Sequence, residues 1–500
     1  MLFFIERNML SPSYLDSLPN NLVLLFQQVE DDILRDVARR IGRMDTLTPT
    51  ANWQLWRYQQ TEALRQDVVK KLARYTGKSE AEIRRLMKEA ATAALEAEDE
   101  IYYHYGKEPT PFEESTPLQN LLNAGYRQTA GSFSNLTATT ANTVSGAFEQ
   151  ALDRAWLQVS SGAFDYKTAV KRAVDGLADS MPYVTYPSGH RDTLEVACRR
   201  AVLTGVNQTG AKLQEARMDE MGASFVEVTA HGGARPSHAV WQGRRYHRGG
   251  AVDYLGQHYE DFESATGYGT GAGLCGWNCR HTFFVVFPEL GSPPAWTQES
   301  LEALNARDIE YDGRLYTRYE ISQIQRARER AVRKWKRRYL AEDAAGADTT
   351  ASAVRLRQAR QSLADFTRAT GGRVDSARTS VHGFGWSEGS RAAWDVRHNT
   401  LTNAAGQTII KVSKSDIKGP RNGITQKTNA KGGIDRNYYG ADGRQIKQIS
   451  NNGHGHKIEE ALGKHGEHAH DYIFDATGRL ICRPSRELTD AERKENSDIL

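Results

Sequence analysis

Two groups of side chains in this chain have the types and spacing that chemistry needs. The first is Cys275 and Cys279, with three residues between them, and His281 two further on. His238 lies about forty residues upstream, directly after Arg235-Pro236-Ser237. Thiolate and imidazole are the donors Zn²⁺ prefers, and a structural zinc site takes four of them. His238, Cys275, Cys279 and His281 therefore make a candidate zinc set, provided a strand–loop–strand return brings His238 back to the cysteines. The spacing is neither that of a finger nor that of a ribbon, so two other readings stay open. Reduced cysteines often serve as small buried hydrophobes, which would make the stretch a packed, metal-free knot. Alternatively one thiol is redox-active or catalytic, although no third group at the site points to an activated nucleophile.

The second group lies near the other end. His454, His456, His465, His468 and His470 fall within residues 454–470, centred on Gly463-Lys464-His465-Gly466-Glu467-His468-Ala469-His470-Asp471. Imidazoles titrate near neutral pH, so two of them with a lysine supply a general acid, a general base and a cation for a phosphate. That machinery suffices for metal-independent RNA cleavage through the 2′-hydroxyl, with Lys464, His465, His468 and His470 as candidate catalytic residues. If 468–474 is a strand, His468 and His470 share one face and Asp471 lies on the other. Metal binding, or plain solvation of a loop, are the other readings of the same residues.

Elements must hold these groups in place. Leu22, Phe26, Val29, Ile33, Val37 and Ile41 recur at helical spacing and predict a helix with one apolar face. A second helix is expected from about 51 to 75, stopping at Gly77, and a third after the capping-box pair Ser79 and Glu82. Thr116-Pro117 opens a further helix, Asp165 caps another, and a long one runs from about 191 to 221. The plain reading of these stripes is core packing. After Gly222 the pattern changes: Phe225-Val226-Glu227-Val228-Thr229 alternates as a half-buried strand does, glycines become dense, and Thr282 to Phe287 is a short apolar strand.

Residues 314–338 carry ten Arg or Lys against two Glu. Read as a helix, this stretch either contacts the phosphates of DNA, docks an acidic partner, or is a solvated face. Residues 342–350 read as a linker, 351–369 as a helix, and the glycines at 383, 385 and 389 as turns. In the last hundred residues Asp442-Gly443, Asn452-Gly453 and Thr477-Gly478 separate short alternating runs, as in a small β domain. The fold class expected is a mainly α N-terminal region with a small α+β Cys/His module, and a separate small β-rich C-terminal domain. The expected domains are 1–295 (helical to about 221, Cys/His module 222–295), a basic helical linker region 296–399, and 400–500.

The totals set bounds. Five hundred residues exceed one ordinary core. A net charge of +3 implies no nucleic-acid partner by itself, so such an argument must be local. Four cysteines make no disulfide framework in a chain of this size and suit synthesis in a reducing cytoplasm. The apolar start, 1–5, is too short for a signal segment, and no run reaches the length of a membrane span.

Two blocks in order, Ala234-Arg235-Pro236-Ser237-His238-Ala239-Val240-Trp241-Gln242-Gly243 and Gly273-Leu274-Cys275-Gly276-Trp277-Asn278-Cys279-Arg280-His281, resemble the phage minor capsid protein 2 family. That family is similar to the Mu F-like head morphogenesis proteins, whose pattern is Arg-x-x-His followed by Asn-Cys-Arg-Cys or Asn-Cys-Arg-His. The resemblance covers about residues 8–300, including Tyr14-Leu15 and Trp53-Gln54-Leu55. It implies a phage or prophage virion protein associated with the portal vertex and made in the host cytoplasm. It would act in head assembly or in DNA packaging and delivery, with the portal and other capsid proteins as partners. It implies no catalysis in this region. The tail, from Lys431-Gly432-Gly433-Ile434-Asp435 to Arg486-Glu487-Leu488-Thr489, resembles the polymorphic toxin type 50 group, predicted nucleases fused to delivery proteins. That resemblance implies the alternative of a phage-delivered effector whose C-terminal domain is a metal-independent ribonuclease acting on RNA.

Overall fold

The stripe Leu22, Phe26, Val29, Ile33, Val37 and Ile41 forms helix α1 (Asn20–Gly42), and all six side chains are buried. The computed structural model describes residues 11–43, 50–161, 165–180, 183–186, 190–430, 432–453 and 455–500. The apolar start at 1–5 lies outside them, as do Lys431 and His454. The chain divides into two compact units, Met1–Gly346 with Gln361–Gly383, and Ala347–Arg360 with Phe384–Leu500. The first is mainly helical, and the second is built on a sheet.

The two helices expected either side of Gly77 are one, α2 (Thr50–His104). Leu64, Val68, Leu72, Ser79, Ile83, Leu86, Met87 and Ala90 keep one buried face running through the break. A glycine inside a helix costs about 1 kcal/mol relative to alanine, whereas each buried large aliphatic side chain contributes about 1.5–3 kcal/mol. Burial on both sides of the glycine therefore outweighs it, and Ser79, expected as a cap, is a fully buried mid-helix residue. Helix α3 (Thr116–Ser160) carries Pro117 in its first turn. Helix α4 (Tyr166–Ser180) is capped by Asp165, whose carboxylate accepts the Thr168 N–H at 3.1 Å. Helix α5 (Leu194–Met221) starts three residues later than expected, because Arg191–Thr193 pairs as a short strand with Tyr183–Thr185. It ends at Gly222 in the left-handed conformation.

Beyond α5 comes a five-stranded sheet of β1 (Phe225–Val228), β2 (Arg245–His247), β3 (Val252–Tyr254), β4 (Gln257–Asp261) and β5 (Phe283–Val285), in the order β3-β4-β2-β1-β5. Strand β1 is more buried than its alternating sequence suggests, since β2 and β5 flank it. The buried Glu227 is held by Arg245 at 2.8 Å and the Ala295 N–H at 2.7 Å. The sheet is tied to the bundle through Gln214 of α5, which donates to the Phe283 carbonyl at 2.8 Å and to Glu98 of α2 at 3.2 Å. Glu98 in turn accepts the Val285 N–H at 3.2 Å. Burial pushes its carboxyl up to about 8.

The basic stretch does not start as a helix. Arg314–Thr317 pairs with Arg307–Tyr311 in a hairpin, and helix α6 (Arg318–Ala344) follows, opened by a Thr317–Glu320 capping box. It runs into the residues expected as a linker, where Glu342 is buried against Lys171 at 2.7 Å. Three of its arginines point inward. Arg337 meets Glu30 and Asp31 of α1, each at 2.7 Å, Arg333 pairs with Glu195, and Arg338 reaches Asp175 at 2.5 Å. Of the stretch 296–399, residues up to 346 and 361–383 belong to the first unit and 347–360 and 384–399 to the second.

In the second unit the turn glycine at 385 precedes a helix, α7 (Trp386–Asn399), that contains Gly389. Seven strands follow in the order β6 (Thr400–Thr402), β7 (Thr408–Lys411), β8 (Ile424–Thr428), β9 (Ile434–Tyr439), β10 (Gln445–Ser450), β11 (His468–Asp471) and β12 (Ser485–Arg486). All neighbours are antiparallel except β7 and β8. The core is Ile409, Ile424, Tyr438, Ile449, Ala469 and Leu488. Gly443 at φ +80° makes the β9–β10 turn that its Asp-Gly pair predicts.

Removing one partner of a buried ion pair costs about 3–5 kcal/mol, since the other charge stays buried. Arg337→Ala should therefore lower the unfolding free energy of the helical unit strongly, whereas the exposed Arg330→Ala should change it by less than ~0.5 kcal/mol. Equal, small shifts in circular dichroism melts would contradict this role for Arg337.

Candidate functional site

The loop from 273 to 281 is shaped by close backbone approaches. A Cβ on Gly273 would sit 2.0 Å from the Gly267 carbonyl oxygen, and one on Gly276 2.4 Å from that of Gly271. Cys275 and Asn278 take left-handed backbone angles of +57° and +53°. Asn207 of α5 donates to the carbonyls of Cys279 and His281, both at 3.1 Å, and fixes the loop against the bundle. Arg235 donates to the Trp277 carbonyl at 2.7 Å. Pro236 opens a single helical turn, Pro236–Ala239, that carries His238 toward the cysteines.

His238, Cys279 and His281 converge, with one donor atom from each within 4.8 Å of the others. The Nδ1 atoms of His238 and His281 each lie 3.6 Å from Cys279 Sγ. His238 Nε2 faces the Ala272 carbonyl at 2.9 Å. A carbonyl only accepts, so this nitrogen carries the proton and Nδ1 is bare. His281 Nε2 is 3.0 Å from Gln242 Oε1. That oxygen also accepts the His231 N–H at 3.1 Å, while the Gln242 amide nitrogen donates to Asn305 at 3.2 Å, which sets the amide's orientation. His281 therefore also points a bare Nδ1 at the sulfur. Burial lowers the pKa of His238 to about 4 and that of His281 well below its usual value, which keeps both rings neutral. The same burial raises the Cys279 thiol.

These three groups fit zinc. Tetrahedral bonds of about 2.3 Å to sulfur and 2.0–2.1 Å to nitrogen place sulfur and nitrogen about 3.5–3.6 Å apart. Outer carbonyl and amide partners that fix the far ring nitrogen are the usual support of a metal-binding histidine. Cys275 does not join the group: its thiol, wholly buried, faces the His281 carbonyl at 3.6 Å. Three of the four expected ligands are thus gathered. Asn207, which holds the loop, carries no local sequence signal, and Gln242, which holds one ring, falls within the first family-like block without any mark of this role.

The same three residues line a cavity of about 1130 Å³ in this unit, walled on another side by α6. Ten basic and three acidic side chains are among its described lining residues. Much of the helix's positive charge is already matched internally, by Glu195, Glu30 and Asp31, and at Lys334 by Asp179 at 3.0 Å. Arg330 remains exposed.

At the other end, His468 and His470 do share one face of β11, with Nε2 atoms 3.1 Å apart, while Asp471 pairs with Arg486 at 2.6 Å. Lys464 and His465 are exposed in the preceding turn. Glu459, which sequence reasoning missed, lies 3.3 Å from His470 Nε2 and 3.8 Å from His468 Nε2. Two of the four candidate catalytic residues are therefore brought together, with a carboxylate in place of the lysine.

A family model described as Phage minor capsid protein 2 matches residues 10–368. The match takes in the bundle, the sheet with its Cys/His cluster, and α6. No curated protein and no solved structure matches the chain.

Proposed function

We propose, on the premise that the chain belongs to the phage minor capsid protein 2 family, that it is a structural virion component near the portal vertex. There it acts in head morphogenesis or in DNA packaging and delivery. The family match over residues 10–368 carries this reading. Its partners are the portal and other capsid proteins. Packaged DNA meets the cations of 314–338 that internal carboxylates leave unmatched, Arg330 among them. Among the described residues no helix is long and apolar enough to cross a membrane. A phage whose copy of this gene carries an early stop codon should give particles that fail to fill with DNA or fail to deliver it. Plating should recover when the chain is supplied in trans; normal plating of the null phage would overturn the proposal.

Within that role, His238, Cys279 and His281 hold a zinc ion that fastens the sheet module. When bound, the ion supplies a cross-link between the turn at His238 and the 273–281 loop, and structural zinc contributes folding free energy directly. The three donors and their fixed outer partners support this. Cys279→Ser should remove one equivalent of zinc from the purified chain and lower its melting temperature, whereas Cys275→Ser should retain the metal. Equal zinc in both variants would argue for the metal-free knot.

A second reading concerns the end of the chain, as a toxin-like module that cleaves RNA without a metal. The facing imidazoles of His468 and His470 favour it. Against it stand the burial of both rings and the outward placement of Lys464 and His465. Expression of the full chain in a bacterial host should then arrest growth, and His470→Ala should relieve the arrest. Growth unaffected by abundant soluble chain would remove this reading.

A further inference from the structure

We infer that Glu459, His468 and His470 form a binding site for a divalent ion of the zinc class, in a unit that lies mostly outside the family match. The inference rests on local geometry and goes beyond the virion reading. It gives the two imidazoles a ligand's role instead of the acid–base role of the second reading.

Strand β11 is an inner strand, paired with β10 and β12, so its alternate residues point to one covered face. His468 is fully buried there and His470 nearly so. His468 Nδ1 lies 2.9 Å from the Gly466 carbonyl, which can only accept. A proton therefore sits on Nδ1, and the ring turns Nε2 toward His470 Nε2, 3.1 Å away. The carboxylate of Glu459 closes the third side, at 3.3 Å from His470 Nε2 and 3.8 Å from His468 Nε2. One donor atom from each residue lies within 4.8 Å of the others. Metal–nitrogen and metal–oxygen bonds of about 2.0–2.2 Å at tetrahedral angles separate ligand atoms by roughly 3.3–3.5 Å. The observed spacings lie within a few tenths of an ångström of that.

Glu459 reaches this position because the chain before β11 is folded tightly by glycines. It sits on a short helix, α8 (Lys457–Glu460). A Cβ on Gly453 would lie 2.6 Å from the Glu460 nitrogen, and one on Gly466, at φ +81°, 2.7 Å from the Gly453 nitrogen. The three backbone segments can touch only where side chains are absent. Glu467 then locks the turn. Its carboxylate accepts the N–H groups of Lys464 at 2.9 Å and His465 at 2.6 Å, and pairs with Arg493 at 2.8 Å. These contacts hold its carboxyl down to about 2. The loop therefore has a fixed shape that delivers one carboxylate to two imidazoles.

Two imidazoles and a carboxylate, donor types that a divalent cation takes, converge within 4.8 Å of one another. Two histidines and a glutamate are a donor set that zinc accepts with a coordination position left over. The Glu459 side chain, 15% exposed, leaves the site open at one edge for a further ligand.

The test uses the full-length chain with Cys279→Ser, so that thiolate chemistry at the other cluster is absent, dialysed against Zn²⁺ and separately against Co²⁺. One equivalent of metal should remain bound, with ligand-field absorption in the cobalt form and no thiolate charge-transfer band. Adding Glu459→Gln or His470→Ala should abolish that equivalent. Glu459→Gln changes a partly exposed residue on a short helix, and circular dichroism checks that it leaves the fold intact. If Cys279→Ser itself fails to fold, the same two substitutions in the unaltered chain should each lower the bound metal by one equivalent. No metal bound in Cys279→Ser, or the same amount bound with and without Glu459→Gln, would overturn the inference. Neither result bears on whether the chain enters a virion.

Discussion

The helical unit depends on a buried guanidinium. Arg337 contacts Glu30 and Asp31, which precede it by about three hundred residues. Desolvating these charges is expensive, and only near-complete pairing makes the arrangement tolerable. Burial drives the Glu30 carboxyl upward while Arg337 draws it back. Arg333 with Glu195, and Arg338 with Asp175, extend the same pairing to α5 and α4. A helix that looks outward-facing in sequence is thereby fixed to the bundle, and Arg333 and Arg337 with their neighbours on it also line the cavity at the Cys279 cluster. The family match includes the whole of this helix and extends to 368.

The two histidine clusters follow the same physical rule on unrelated scaffolds. In each, a backbone carbonyl or a side-chain amide fixes the far nitrogen of a buried ring, His468 in the second, and the near nitrogen faces its neighbours. In the first cluster the neighbour is a thiol, and the elements that hold it belong to the capsid family's region. In the second it is a carboxylate, and the elements are a strand, a short helix and two glycines, Gly453 and Gly466. Burial keeps the rings neutral at the first cluster and lowers the pKa of His470 at the second. Neutral imidazole is the form a metal takes, and it is a poor form for stabilising a phosphate by charge.

Much of the fold was legible because periodicity reports burial directly. The six apolar positions of α1, the Asp165 cap, Pro117 and the shared face of His468 and His470 all follow from spacing alone. The joining of two expected helices into α2 was not legible, because a local stop signal at glycine is weaker than burial summed along both flanks. The pairing of Arg333 and Arg337 with acids from α5 and α1 depends on tertiary contacts that no window of sequence contains. Glu459 was missed for the same reason: its role comes from the contact of Gly453 and Gly466, residues that read only as turns. Cys275 stood as an equal of Cys279 by spacing, but its left-handed backbone turns the two thiols to different partners.

A member of a minor capsid protein family is built into the phage particle. Quantitative mass spectrometry of density-purified, nuclease-treated virions checks this. Peptides from both 10–368 and 384–500 should appear at a few copies per particle, in constant ratio to the portal protein across preparations. Particles of full infectivity that contain no peptide from residues 10–368 would contradict it.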